Sequence, residues 1–383
     1  MHIPEAHRIS EVKTYYFAKK LKQLREMQAE GKDIINLGIG SPDLNPSSEV
    51  IISLQQAADK SAMHGYQPYR GIAELRNGFS DWYQNNFDVH LNPNTEILPL
   101  LGSKEGIMHI SMSFLNPGDQ VLVPNPGYPA YKSVAQIAGA TPIFYSLNEE
   151  NSYLPNTEVL EQMDLSKVKI MWINYPHMPT GAKGNIKALQ PLIPLAKENN
   201  FLLCHDNPYS FILNDRPFSI FQLEGAKEVC IELSSLSKNY NMAGWRIASM
   251  SCHSKILDTV LKFKSNMDSG MFKPMQLAAT TALNLPKEWM AAQTEIYTHR
   301  REKIWELMDM FDCRYNKDTA GLFVWSRVPD SYKDAEELSE KILHMHHVFL
   351  TPGKIFGSNG DRYLRSSLCQ DISIIEKAIE RCR

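Results

Sequence analysis

The sequence has no CxxC pair and no cysteine or histidine cluster at metal-ligand spacing; its six cysteines, Cys204, Cys230, Cys252, Cys313, Cys369 and Cys382, are scattered. That argues against a disulfide framework and a structural zinc site, and it predicts a reduced, cytoplasmic protein whose thiols are packing residues. No run of 18 apolar residues occurs, so no membrane-spanning helix is expected. The opening stretch "MHIPEAHRISEVKTYYFAKK" lacks an apolar run ahead of a small-residue cleavage site, which argues against a signal peptide. Charge of one sign is also missing. With 40 basic against 43 acidic residues and a formal net charge of -3, nothing favours wholesale binding to nucleic acid or an anionic membrane, and the expected ligand is small. The "HMHH" at 344–347 has no cysteine or carboxylate at ligand spacing beside it, so these read as surface histidines at a helix end.

What is present is 383 residues at 43% hydrophobic content, enough for a large core and more than one lobe. Residues 13–30 carry apolar positions at helical spacing, with Gly31 as the stop, and "DIINLGIG" reads as a short strand entering a loop. From about 97 to 252 short apolar runs take over: "EILPLLG", "QVLVPN", "TPIFYSL", "KIMWINYP", "FLLCHDNPY", "VCIELSSLS" and "RIASMSC". They alternate with helical segments such as 103–115 and 186–199, which predicts βαβ units in a mostly parallel sheet. Beyond about 275, long helical stretches at 287–311 and 334–347 flank two strand-like pieces, "GLFVWSRV" and "RYLRSSL". The expected organisation is an N-terminal arm (1–45) that shares the small lobe, a large α/β domain (46–275) and a small α+β domain (276–383). No repeat or low-complexity tract interrupts it.

In open parallel sheets ligands bind beyond the carboxyl ends of the strands. Three successive strand ends carry Asn174, Asp206 and Lys238, each about one βα unit after the last. Asp206 follows the apolar "FLLC", where a carboxylate needs a partner to offset its desolvation. An earlier strand end, "LGSKEG", opens straight into a helix, and such a start offers free backbone N–H groups and a positive dipole to an anion. Finally, "SSLSKNYNMAGWRIA" places Lys238 and Arg246 in a segment with no Asp or Glu between Leu233 and Leu257. Together these features ask for one ligand bearing a phosphate, a protonated site and an electrophile.

These residues resemble the class I and II aminotransferases, pyridoxal-phosphate enzymes of fold type I, over almost the full length from "NLGIGSPD" to "YLRSSL". The resemblance implies that Lys238 forms the Schiff base with the cofactor aldehyde and shuttles the substrate proton. Arg246, Ser235, Lys104 and the backbone of Gly102 and Ser103 match phosphate ligands. Asp206 matches the carboxylate that keeps the pyridine nitrogen protonated, Tyr209 the phenol on the ring oxygen, and Tyr128 the aromatic stacked on the ring. Tyr66, in "GYQPYRG", matches a tyrosine that reaches the neighbouring subunit's phosphate, which implies a homodimer. Arg365 matches the fork that grips the substrate α-carboxylate, and Gly40 the loop that closes over it. "LGSKEG" and "KSNMDSGMF" look most like the aspartate, alanine and LL-diaminopimelate branch.

One departure stands out. The resemblance leads one to expect Asn-Asn before Pro-Thr-Gly, where this chain reads "NYPHMPTG", with His177 and Met178. A thioether cannot donate a hydrogen bond, which leaves Tyr209 as the main side-chain donor to the ring oxygen and should raise the pKa of the lysine–cofactor imine. His177 is expected to face solvent in the loop. The implied reaction is transfer of an amino group between an α-amino acid and a 2-oxo acid; the alternative is a β-eliminating carbon–sulfur lyase on the same scaffold. A regulatory module that keeps the cofactor fold is disfavoured by the presence of Lys238, Asp206 and Arg365, and because no DNA-binding extension precedes residue 13.

Overall fold

The computed structural model describes residues 3–10 and 16–383. Its strands, in chain order, are β1 (Ile35–Asn36), β2 (Ile97–Leu100), β3 (Gln120–Asn125), β4 (Thr141–Ser146), β5 (Val168–Ile173), β6 (Leu202–Asn207), β7 (Cys230–Ser235), β8 (Ala248–Cys252), β9 (Arg314–Tyr315), β10 (Phe323–Arg327), β11 (Val348–Phe349), β12 (Thr351–Pro352) and β13 (Tyr363–Ser367). All seven apolar runs between 97 and 252 become the seven strands of one sheet, in the order β2-β8-β7-β6-β5-β3-β4. It is parallel except at β8, which runs antiparallel to both β2 and β7.

Apolar side chains leave these strands on both faces, which is why the runs are continuous rather than alternating. On β3, Val121 and Val123 enter the core under helix Ser103–Phe114, while Leu122 points into the opposite one with Leu203 of β6. The second core also takes in helix Ala73–Phe87, which packs with Lys273–Leu283. A third core belongs to the four-stranded sheet β12-β13-β10-β9, covered by helices Lys287–Asp309, Ala335–His346 and Ile372–Cys382. The N-terminal segment joins it directly: β1 pairs in parallel with β11, Ile35 opposite Val348.

Helix boundaries follow their caps. Asp334 accepts from Glu337 N at 2.9 Å and starts Ala335–His346 where the spacing predicts it. The helix expected over 186–199 is two, Ile186–Leu189 and Leu192–Glu198, because Pro191 sits at the junction and has no N–H to continue the first. The helix expected from 13 runs Tyr16–Ala29, and residues 13–15 lie outside the described ones.

Candidate active site

β5, β6 and β7 are neighbours in the sheet, so their carboxyl ends bring Asn174, Asp206 and Lys238 to one place. Asn174 Nδ2 donates to the Asp206 carbonyl at 2.5 Å. All three line a cavity of about 330 Å³, together with Gly40, Ser103, Lys104, Tyr128, Tyr209, Ser235, Arg246 and Arg365. Of the residues the sequence singles out, the cavity lining leaves out His177, Tyr66 and Gly102, the last of which lies against Arg246.

Lys238 lies in the short helix Leu236–Asn239 that follows β7, entered through Ser235, whose Oγ accepts from Ser237 N at 3.2 Å. Its Nζ donates to the Gly40 carbonyl at 2.8 Å. Burial holds its pKa below the usual lysine range, opposed by the Cys369 thiol and reinforced by Arg246 and Arg365. A lysine so disposed sheds its proton more readily, as a nucleophilic amine must.

Asp206 is 4% exposed. Its Oδ2 accepts from Tyr131 Oη at 2.9 Å, while Oδ1 is buried without a partner. Burial pushes the carboxyl up to about 6, against the downward pull of Tyr131, His205 and Ser103. An unanswered buried carboxylate oxygen facing a cavity calls for a charged N–H donor. Tyr131 is the one residue of this group that sequence reasoning passed over, although it stands three places after Tyr128 in "NPGYPAY". Its ring stacks on Trp172 at 5.0 Å and meets Tyr128 edge-on at 5.5 Å, which holds the hydroxyl on Asp206.

The anion seat is built from two backbone irregularities. Gly102 has φ +90° and precedes helix Ser103–Phe114; a Cβ there would lie 2.0 Å from Arg246 Nη2. Arg246 is itself left-handed at φ 57° and donates from Nη1 to the Ala243 carbonyl at 2.8 Å and Ser237 Oγ at 3.3 Å. Only a residue without a side chain at 102 lets the guanidinium lie across the helix start. Ser237 thus belongs to the seat, although nothing in the sequence set it apart from the serines beside it.

Across the cavity, β13 presents Arg365 opposite Trp325 of β10. Its Nη2 donates to the Gly38 carbonyl at 2.6 Å, Nη1 lies 3.4 Å from Met178 Sδ, and the guanidinium sits over the rings of Phe323 (4.0 Å) and Phe356 (4.6 Å). Phe323 lies on the same sheet face, diagonal to Arg365 in the antiparallel pair. It also packs so tightly on Gly40 that a Cβ there would be 2.1 Å from Cζ. Phe17 and Phe323 complete the wall and were not foreseen, because apolar residues on a helix and a strand carry no signal separating a site wall from a core.

One expectation meets a different geometry. His177 does not face solvent: it is 2% exposed, its Nδ1 is 2.8 Å from Thr180 Oγ1, and burial pushes its pKa down to about 3. The turn closed by Gly181 N on the His177 carbonyl at 2.7 Å folds the ring inward, so it is a neutral structural group. Tyr66 is 93% exposed on a surface loop beside Phe272, outside the cavity of its own chain. Away from the cavity, Glu105, His109 and Asp268 lie at metal-ligand distance from one another, but Lys264 Nζ sits on both Asp268 oxygens at 2.7 and 2.8 Å and supplies the positive charge itself.

Comparison with known proteins agrees with this geometry. The family described as aminotransferase class I and II matches residues 32–381. An LL-diaminopimelate aminotransferase of Dehalococcoides mccartyi is 42% identical over 376 residues, covering 98% of this chain and 97% of the relative. One from Aquifex aeolicus is 37% identical over 98% of this chain and 97% of its own length. Among solved structures, substrate-bound BacF from Bacillus subtilis superposes with a TM-score of 0.94 at 34% identity, covering 100% of this chain and 97% of BacF. An aspartate aminotransferase variant from Thermus thermophilus, at 22% identity and a TM-score of 0.92 over 99% of both chains, shares the fold. Relatives named for amino transfer lend no support to the carbon–sulfur lyase alternative. A cavity that joins a half-buried lysine, an unanswered carboxylate and an arginine-backed anion seat, in a chain matched over nearly its whole length, identifies this protein as a member of the class I and II aminotransferases, enzymes that work with pyridoxal 5′-phosphate.

Proposed function

We propose that this aminotransferase exchanges an amino group between an α-amino acid and a 2-oxo acid with Lys238 as the catalytic amine, and that it does so as a cytoplasmic homodimer. The observation that carries the assignment of roles is Asp206 Oδ1, buried and without a partner at the end of the cavity opened by Lys238. The residues fit the cofactor: Asp206 suits a protonated ring nitrogen, and the helix start at Ser103 with Arg246 behind Gly102 suits a phosphate dianion. When bound, pyridoxal phosphate supplies an aldehyde for the lysine amine and a protonated ring that takes up electron density from the substrate Cα. Lys238 then moves the proton at Cα, Tyr128 supports the ring face, Tyr209 donates to the ring oxygen, and Ser235 and Lys104 add donors at the phosphate. Arg365 orients the α-carboxylate, exchanging the Gly38 carbonyl for it, while the Gly40 loop covers the site.

Tyr66 takes the role of a phosphate donor to the neighbouring subunit, which accounts for so exposed a tyrosine on this loop. Sedimentation at micromolar concentration should return twice the mass of the chain. The lobes divide near residues 45 and 275, with the arm completing the small one. Alanine at Gly102 would push Arg246 off the seat. Overpacking of that kind costs ~1–3 kcal/mol, so Gly102→Ala should weaken pyridoxal phosphate binding by about 5- to 150-fold in a fluorescence titration.

For the amino donor, LL-diaminopimelate stands first, because relatives of that name align over 98% of this chain. A second reading, a donor with an uncharged side chain, is favoured by the wall itself: among the described residues its cations are Lys104, Lys238, Arg246 and Arg365, all with roles above, and Phe17, Ile39 and Phe323 form the rest of that side. Half-reaction bleaching of the bound cofactor by LL-diaminopimelate, glutamate, phenylalanine and leucine decides between them. Bleaching by none of these would sink the assignment.

A further inference from the structure

Met178 stands in the cavity wall where the resemblance leads one to expect a donor, and the surrounding geometry decides whether another group takes over. Asn174 is spent at both ends of its amide: Nδ2 on the Asp206 carbonyl at 2.5 Å, Oδ1 on Met178 N at 2.8 Å. His177 is turned inward onto Thr180 and is not among the residues that line the cavity. Arg365 directs Nη1 at Met178 Sδ, 3.4 Å away, and a thioether accepts weakly and donates nothing. Tyr209, on the same wall, remains.

We propose that Met178 is a positioning residue that leaves Tyr209 as the one side-chain donor to the ring oxygen of the bound cofactor, so that Lys238 Nζ in the loaded enzyme keeps its proton to higher pH than an amide at 178 would allow. The proposal rests on the roles assigned to Lys238 and Tyr209 above. An anionic oxygen with fewer hydrogen bonds is a stronger base and holds a shared proton more tightly, so the direction is upward. The other groups that face this pair are Arg246, Arg365 and Cys369 around Lys238, and Asp206 and Tyr128 near Tyr209. Arg246, Cys369, Asp206 and Tyr128 are the same in a variant at 178 and drop out of the comparison; Arg365 loses its contact with Met178 Sδ in every variant, and Met178→Leu is the control for that loss. A lysine nitrogen that is already protonated cannot take the proton of an incoming ammonium, so the substrate must arrive as the free amine. The acid limb of kcat/KM therefore lies at higher pH than it would with a second donor.

The test is an absorbance titration of the pyridoxal-phosphate-loaded protein without substrate, with Met178→Asn, Met178→Gln and Met178→Leu beside the parent. One charge-assisted hydrogen bond regained moves the midpoint down by about one pH unit in the Asn or Gln variant. The acid limb of kcat/KM should follow it, while Leu keeps the parent midpoint. Midpoints unchanged in both Asn and Gln, or a Leu midpoint that moves as far as theirs, overturn the proposal. A cofactor band that does not change with pH in any of the four proteins overturns the assignment of Lys238 itself, and this inference with it.

Discussion

Alanine at Lys238 should lower turnover by at least about 10⁴-fold, since the side chain is both the nucleophilic amine and the proton carrier at Cα, and either role alone is worth about 10²–10⁴. Cofactor binding should survive, because Arg246, the helix start at Ser103 and Asp206 are untouched. The loaded variant should retain pyridoxal phosphate through gel filtration yet lose the pH-dependent band of the parent. Stability should hold or rise. Lys238 is a largely buried cation with a depressed pKa that donates to the Gly40 carbonyl, and removing it relieves a desolvation cost. A Lys238→Ala protein that keeps its band and its turnover would refute the mechanism at its centre.

Asp206→Asn should show two effects of opposite sign. Turnover of the loaded enzyme falls at least about 10³-fold, because a neutral amide no longer holds the ring nitrogen protonated. Cofactor-free protein, by contrast, becomes more stable at neutral pH. The folded-state carboxyl is raised from 3.8 to about 6 by burial, so the folded protein binds more protons than the unfolded chain between those values. Stability from this group therefore falls as pH rises through that window, by about 3 kcal/mol once it is passed. The asparagine variant escapes that loss and keeps the acceptor for Tyr131. Melted without cofactor, it should unfold several degrees above the parent at pH 7.5 and together with it near pH 4. Equal melting temperatures at pH 7.5 would mean that Asp206 is not the strained carboxylate described here. A site that holds a charge its own fold does not answer gives up stability for function.

The large sheet was legible because its strands, apart from the half-exposed edge strand β4, are buried on both faces and read as continuous apolar runs between turns, a local property of the chain. The strands β11 and β12 were not, since two-residue strands have no period and exist only because distant segments meet, β11 against β1 and β12 against β13. The same division runs through the site. Lys238, Asp206, Arg246 and Gly102 carry chemistry that is unusual for their local context, and so they announce themselves. Tyr131, Ser237, Phe17 and Phe323 are ordinary core or turn residues until the fold sets them around the cavity. His177 went the other way: a polar residue in a Pro-rich loop reads as exposed, but the turn at Gly181 buries it.

By itself the sequence determined which residue types stand at which strand ends, and with them the kind of reaction, because a primary amine, a buried carboxylate and a glycine before a helix are chemical facts at any distance. What only the tertiary structure decided is which of those groups are already spent. Asn174 is consumed by two hydrogen bonds, His177 is turned away, and Arg365 faces a sulfur, none of which any spacing records. The physical reason is that hydrogen-bond saturation depends on angles and distances between segments far apart in the chain, whereas reactivity is carried by each side chain alone.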